Sequence, residues 1–146
     1  MKKLLFLVIA IVSISFTGCS KDDDNSSSAS QNELILGSWR YSQEGTLVNG
    51  QEILNSYDNA ATQCGFDYVE FRSSSEIKEY IYDTDVNSNC MNFLNSGNWS
   101  ISGNNQLSIT FDSNTIINEI LVLNQTTLKV KYASGGVARI IVFTKI

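Results

Sequence analysis

Gln106-Leu107-Ser108-Ile109-Thr110-Phe111 alternates without a break, with Leu107, Ile109 and Phe111 on one face and Ser108 and Thr110 on the other. A period of two sets successive side chains on opposite faces of an extended chain, so the stretch reads as a half-buried β-strand. Just upstream, Asn98 to Ser102 carries Trp99 and Ile101 on one face, and Gly103-Asn104-Asn105 turns that run into the next. Two alternating runs across a short Gly/Asn connection form a hairpin.

The pattern repeats in both directions. Downstream lie Thr115 to Leu123, then Thr127 to Ala133, where Leu128, Val130 and Tyr132 oppose Lys129 and Lys131. Ser134-Gly135-Gly136 leads into Val137 to Lys145. Upstream lie Ile35 to Val48, ending at the turn pair Asn49-Gly50, and Phe66 to Arg72, with Val69 and Phe71 alternating. After Ser73-Ser74 comes Glu76 to Asp83, with Ile77 and Ile81 on one face and Lys78, Tyr80 and Tyr82 on the other. No segment of helical period is long enough to compete. The chain has no proline, which leaves every backbone N–H available for ladder bonding.

Eight sequential strands joined largely by short hairpins predict an all-β fold, an eight-stranded antiparallel up-and-down barrel that leaves no open sheet edge. A β-sandwich is the alternative. In such a barrel alternate connections share an end. The tight ones at Ser73-Ser74, Gly103 to Asn105 and Asn124 to Thr126 fall at one end, and the two long ones fall together at the other. Cys64 closes the first long loop and Cys90 lies in the second, so a bond between them would join neighbours at one rim.

The chain begins Met1-Lys2-Lys3, continues through an unbroken apolar run from Leu4 to Val12, and reaches Ser13-Ile14-Ser15-Phe16-Thr17-Gly18-Cys19. A short basic start, a brief apolar stretch and small residues before a cysteine read as an export signal. Thr17-Gly18-Cys19 resembles the lipobox of bacterial lipoproteins, which implies cleavage before Cys19 and acylation of that residue. Ser20-Lys21-Asp22-Asp23-Asp24 then resembles the surface-export signal of Bacteroidetes-type lipoproteins. The expected organisation is a signal peptide over residues 1–18, a lipidated flexible tether over 19–33, rich in Ser and Asn, and a barrel domain over 34–146. The expected location is the outer membrane, lipid-anchored and facing the cell surface, with a periplasm-facing position as the alternative.

With the signal removed, 8 basic side chains stand against 15 acidic ones, a formal charge of −7 that disfavours nucleic acid and anionic lipid surfaces. Two cysteines remaining in an exported chain predict one disulfide, Cys64–Cys90. A two-cysteine metal site is the weaker reading, since no histidine is present to complete a zinc shell.

Leu36-Gly37-Ser38-Trp39 resembles the Gly-x-Trp motif that opens lipocalins. With Tyr68-Val69-Glu70-Phe71, Gly97-Asn98-Trp99-Ser100-Ile101 and Gln106-Leu107-Ser108-Ile109, the set is similar to the lipocalin-like lipoprotein domains of Bacteroidetes over about residues 34 to 146. The resemblance implies that Trp39 plugs the closed end of the barrel and that a basic residue packs on it, for which Arg139 is the candidate. Asn124-Gln125-Thr126-Thr127 stands where the lipocalin Thr-Asp-Tyr motif would, so the ligand chemistry of kernel lipocalins does not carry over.

The candidate ligand mouth comprises Ile53, Leu54 and Tyr57, read as a turn of helix in the first long loop, and Met91, Phe93 and Leu94 in the second. The alternative is that these residues only cap the core. Tyr80 and Tyr82 share a face with Lys78 and read either as a sugar-stacking surface or as ordinary exposed strand residues. No catalytic residues, metal or cofactor are expected: histidine is absent, and Glu70, Glu79 and Glu119 form no pair of interpretable spacing. Asp83, Asp85, Asn87 and Asn89 alternate oxygen ligands, but lack the glycine and terminal glutamate of an EF-hand, so they read as a polar loop. The expected function is non-catalytic binding of a small hydrophobic or amphiphilic molecule. The alternative is a surface module holding a glycan or a partner protein of unknown identity.

Overall fold

The computed structural model describes residues 29–59, 61–103 and 105–146. The expected signal peptide, Cys19 and most of the tether lie outside the described residues. Among the described residues a short helix, α1 (Gln31–Leu34), precedes nine strands. They are β1 (Gly37–Val48), β2 (Gln51–Ser56), β3 (Tyr68–Phe71), β4 (Glu76–Thr84), β5 (Cys90–Ser102), β6 (Gln106–Phe111), β7 (Asn114–Leu123), β8 (Thr127–Ser134) and β9 (Val137–Lys145).

Each strand from β3 to β9 pairs antiparallel with the next, and β1 closes the circle by pairing with both β3 and β9. These eight form the barrel. β2 is a ninth strand, paired with the far half of β1 through Gln43 to Val48. Its presence corrects the expected helical turn at Ile53 and Leu54. Asn49 and Gly50 both have positive φ, the geometry of a two-residue hairpin turn, and such a turn returns the chain beside the strand it left. The mostly polar run from Gln51 to Ser56, with Ile53 and Leu54 adjacent rather than alternating, hides the strand, and pairing with β1 supplies what propensity does not.

A second correction concerns β5, which starts at Cys90 rather than Asn98. Residues Cys90 to Asn98 run along the whole length of β4 from Thr84 to Glu76, so Asn95, Ser96 and Gly97 sit within a ladder despite their turn-forming character. Met91, Phe93 and Leu94 therefore belong to a strand and not to a rim loop.

The closed end carries the β3–β4, β5–β6 and β7–β8 turns and the plug. Trp39 is fully buried, and its Nε1 donates to the Ile35 carbonyl oxygen at 2.6 Å. Trp99 donates through Nε1 to the Arg72 carbonyl at 3.1 Å and meets Phe71 edge-on, with centroids 5.6 Å apart. Ile77, Leu107 and Leu128 complete this layer, each almost wholly buried and each worth about 1.5–3 kcal/mol over its exposed state.

The cation over the Trp39 ring is Lys145, with Nζ 4.8 Å from the centroid and donating to the Leu34 carbonyl at 3.0 Å. Arg139, expected in that position, pairs instead with Thr46 toward the opposite end. The reason is register: six residues separate Arg139 from Lys145 along β9, which spans about 20 Å.

The chain also reaches the barrel at the closed end. Ser30 and Glu33 form a capping box at α1, with the Ser30 N–H donating to the Glu33 carboxylate at 2.7 Å. Gln31 Nε2 donates to Asn105 Oδ1 at 2.9 Å, on the turn between β5 and β6. Residues 31–33, expected to be flexible tether, are thus ordered and docked.

On the outer side, Ile140 and Val142 of β9 are buried as well, and the Lys129–Glu52 ion pair at 2.7 Å ties β8 to β2. Gly45 lies opposite both Ile140 and Leu54, and a Cβ there would come within 1.9 Å of the Ile53 carbonyl oxygen. Only glycine allows β2 to approach β1 this closely.

Candidate functional site: an apolar calyx with one carboxylate

Above the tryptophan layer the barrel is not filled. A cavity of about 180 Å³ is lined by Val69, Phe71, Ile77, Leu107, Ile109 and Phe111 on one side, and by Leu128, Val130, Ile141 and Phe143 on the other. Four polar side chains interrupt this lining: Tyr41, Glu79, Asn118 and Tyr132. A wider vestibule of about 450 Å³ shares Tyr132 and Ile141 with the calyx and continues outward between Glu44, Thr46, Ile53, Asn55 and Arg139. The register shift between Tyr41 and Gln43 makes this possible. Ser42 is extruded as a bulge and donates to the Val142 carbonyl at 2.9 Å, so Glu44 and Thr46, rather than Gln43 and Gly45, present side chains to the mouth.

Among the described residues, Glu79 is the only charged one lining the calyx. Its Oε1 accepts from the Tyr41 hydroxyl at 2.5 Å and its Oε2 from Asn95 Nδ2 at 2.9 Å. Asn118 is buried and donates to the Leu107 carbonyl at 3.3 Å. Tyr41 packs its ring against Phe143 on one side, with centroids 4.6 Å apart, and stacks on Tyr57 at 4.8 Å. Tyr57 in turn donates its hydroxyl to the buried Asp67 carboxylate at 2.8 Å, and Asp67 also accepts the Tyr82 N–H at 2.7 Å. Burial, and then the neighbouring Glu79 carboxylate, raise the Tyr41 phenol well above its ordinary value. Burial and the hydrogen bond to Asp67 raise Tyr57 as well. Both tyrosines therefore stay protonated, as hydrogen-bond donors, across the physiological range.

β3 spans only four residues, so along the upper part of β4 no strand separates it from β1. The segment from Tyr57 to Asp67 crosses that gap. It is held by the Asp67 bonds, by Asn59 Nδ2 donating to the Gly65 carbonyl at 2.7 Å, and by the Cys64–Cys90 disulfide, whose Cα atoms are 5.3 Å apart. The disulfide is thus at the expected rim.

The expected mouth residues divide. Ile53 lines the vestibule, from β2. Leu54 lies on the opposite face of that strand. Tyr57 braces Tyr41 from behind. Met91 and Phe93 share the face of β5 that carries Asn95 and Trp99, beyond the end of β6, and remain exposed, while Leu94 points the other way. None of the six lines the calyx itself. The residues that do come from seven strands, β1, β3, β4, β6, β7, β8 and β9. The signal for Glu79 lay in the alternation that puts Ile77 and Ile81 inside, because Glu79 sits between them on the same face.

Elsewhere, Tyr68 and Tyr80 stack on the outer face with centroids 4.4 Å apart. Asp85, in the polar hairpin tip, accepts the backbone N–H groups of Asn87 and Asn89, and Asn89's side-chain amide as well. Those bonds, chiefly from Asn89, hold its carboxyl below the usual range. Among the described residues no group of three or more acidic, His or Cys side chains is placed to hold a metal ion.

A barrel with a tryptophan-plugged base, an apolar interior and one open mouth is the architecture of a lipocalin-like protein. The sequence model of the lipocalin-like domain matches residues 35–130, and the chain belongs to that family. No curated protein matches the sequence. Among solved structures, an uncharacterized protein from Bacteroides eggerthii superimposes with a TM-score of 0.52 at 11% identity, covering 77% of this chain and 99% of the other. The bovine lipocalin allergen Bos d 2 gives 0.42 at 14% identity, covering 78% and 73%, and lobster apocrustacyanin A1 gives 0.44 at 13%, covering 77% and 61%. The Bacteroides likeness shows the fold alone. The lipocalin-like fold is consistent with holding a small hydrophobic ligand.

Proposed function

We propose that the protein is an exported, lipid-anchored lipoprotein whose calyx binds a small apolar or amphiphilic molecule without transforming it. The observation that carries this reading is the apolar cavity at the centre of the barrel, which shares Tyr132 and Ile141 with a polar vestibule at the end away from α1. A volume of about 180 Å³ is near that of cavities known to take a single aromatic ring, and below the range usual for drug-sized ligands. A small apolar group fits the calyx, and a larger or polar remainder belongs in the vestibule. The lipobox-like Thr17-Gly18-Cys19 supports anchoring through Cys19, and Lys21 with the three aspartates supports display at the cell surface of the outer membrane. The position of α1 at the closed end supports an arrangement in which the mouth faces away from the membrane.

The neutral dye N-phenyl-1-naphthylamine, with its phenyl ring in the calyx and its naphthyl group in the vestibule, tests the binding reading. Its fluorescence rises with the wild-type domain and saturates. Ile116→Trp, which enlarges a half-exposed side chain at the rim of the calyx, abolishes that rise while the fold is retained. A dye response that Ile116→Trp leaves untouched refutes the calyx as the site. Protease treatment of intact cells tests the location, since complete protection excludes the surface.

A second reading, an interaction module, rests on β5. From Cys90 to Ser96 this strand pairs with β4 alone, and it exposes Met91, Phe93 and Leu94. Loss of a crosslinked envelope partner on Phe93→Ser, with dye binding intact, favours it.

A further inference from the structure

The calyx contains one charged group and five aromatic rings, and this combination goes further than apolar binding. We infer that the ligand is a small organic ammonium ion, with its apolar part in the calyx and its charged nitrogen against Glu79. The inference rests on the calyx being the binding site and specifies what the calyx selects.

Three observations support it. First, the Glu79 carboxylate is under-satisfied. A carboxylate offers about four acceptor sites, and Glu79 receives two hydrogen bonds, both from neutral donors, Tyr41 and Asn95. Among the described residues no lysine or arginine pairs with it, although five other ion pairs form on this small domain. A partly buried charge without a counter-charge is costly, and a cation bound beside it offsets that cost.

Second, the surroundings are electronegative. Asp67 lies beyond the Tyr41–Tyr57 stack, buried and also without a basic partner among the described residues, so the two carboxylates flank the two rings. Tyr41 and Tyr57 remain neutral donors and cannot act as counter-ions. The charged groups lining the vestibule, Glu44 and Arg139, are of opposite sign, and the calyx itself is lined by Glu79.

Third, the rings of Tyr41, Phe71, Phe111, Tyr132 and Phe143 line the same small volume. Aromatic faces attract ammonium groups, and a carboxylate beside them fixes where the charge sits. An anionic amphiphile such as a fatty acid would place its carboxylate against Glu79 or leave it in the vestibule, and finds no counter-charge in the calyx.

The test compares three probes of one skeleton, phenethylamine, phenethyl alcohol and hydrocinnamate, by displacement of N-phenyl-1-naphthylamine from the full mature chain at neutral pH. The amine displaces the dye at least about tenfold more tightly than the alcohol, the gain typical of a hydrogen bond to a charged group, and the acid is weakest. Glu79→Gln keeps the shape: its amide oxygen still accepts from Tyr41, and its NH2 donates to Asn95 once the Asn95 amide turns its oxygen inward. It removes the preference for the amine over the alcohol, and an unchanged far-UV circular dichroism spectrum shows that the variant is folded. Equal binding of amine and alcohol by the wild type, or an amine preference that survives Glu79→Gln, overturns the inference while dye binding keeps the calyx reading standing. Failure of the dye itself to bind removes both.

Discussion

Replacing Cys64 and Cys90 together by alanine tests how the mouth of the barrel is held. The two residues are 26 apart in sequence, and closing a loop of about 27 residues in the unfolded chain contributes roughly 3.5 kcal/mol in the chain-entropy model. A domain of this size has a total stability of about 5–15 kcal/mol, so the variant folds but with a reduced margin. The structure specifies where the loss is felt first. The bond fastens the segment before β3 to the first residue of β5, across the gap that the short β3 leaves open. Without it, that segment is held by Asn59, Asp67 and the Gly65 backbone lying under the Tyr82 ring. Urea denaturation followed by tryptophan fluorescence measures the global effect, because Trp39 and Trp99 are the only tryptophans and both lie in the closed-end plug, far from the change. The expected result is a loss of about 3.5 kcal/mol with a larger denaturant slope, since the uncrosslinked unfolded chain exposes more surface. A loss below about 1 kcal/mol with an unchanged slope would refute the reasoning, because it would mean that the denatured chain already keeps these residues close.

Two further outcomes follow from the same geometry. Lys145→Ala lowers stability by about 1 kcal/mol through loss of the Trp39 ring contact and the Leu34 hydrogen bond, whereas Arg139→Ala at the mouth stays within about 0.5 kcal/mol of wild type; the reverse order by urea denaturation would restore Arg139 to the plug. Tyr41 and Tyr57 have folded-state values above the phenol's ordinary 10.0, so the folded protein holds their protons where the unfolded chain loses them. Their contribution is complete below about pH 10 and falls above it, by up to about 1.4 kcal/mol per pH unit for each, and Tyr41→Phe makes the decline in urea midpoint shallower. An alkaline profile identical in Tyr41→Phe and wild type contradicts this.

Much of the architecture was legible from alternation alone. Leu107, Ile109 and Phe111, or Leu128, Val130 and Tyr132, declare a strand and its inward face without reference to any other part of the chain. Gly/Asn/Ser turns declare where strands reverse, and alternating long and short connections assigned the disulfide to one rim. The misses share a cause. Gln51 to Ser56 and Cys90 to Gly97 have weak local patterns, and they become strands because β1 and β4 offer them a ladder. The helical turn expected at Ile53 and the rim loop expected at Phe93 were local readings of segments whose structure is set by a partner strand.

The site divides along the same line. That Glu79 faces inward between Ile77 and Ile81 is a local fact of period two. That its carboxylate meets Tyr41 from a strand 38 residues earlier, and Asn95 from one 16 residues later, depends on pairing register. The Ser42 bulge then shifts the phase of β1 and delivers Glu44 and Thr46 to the vestibule, and the length of β9 gives Trp39 to Lys145 and leaves Arg139 at the mouth. Sequence by itself determined the class of fold and the inward and outward faces, because these follow from neighbours a few residues apart, and the cysteine pair, because only two cysteines remain to join. Only the tertiary structure decided which inward residues surround one cavity and what charge it holds, because closing a barrel brings together side chains from seven strands whose relative register no single segment encodes.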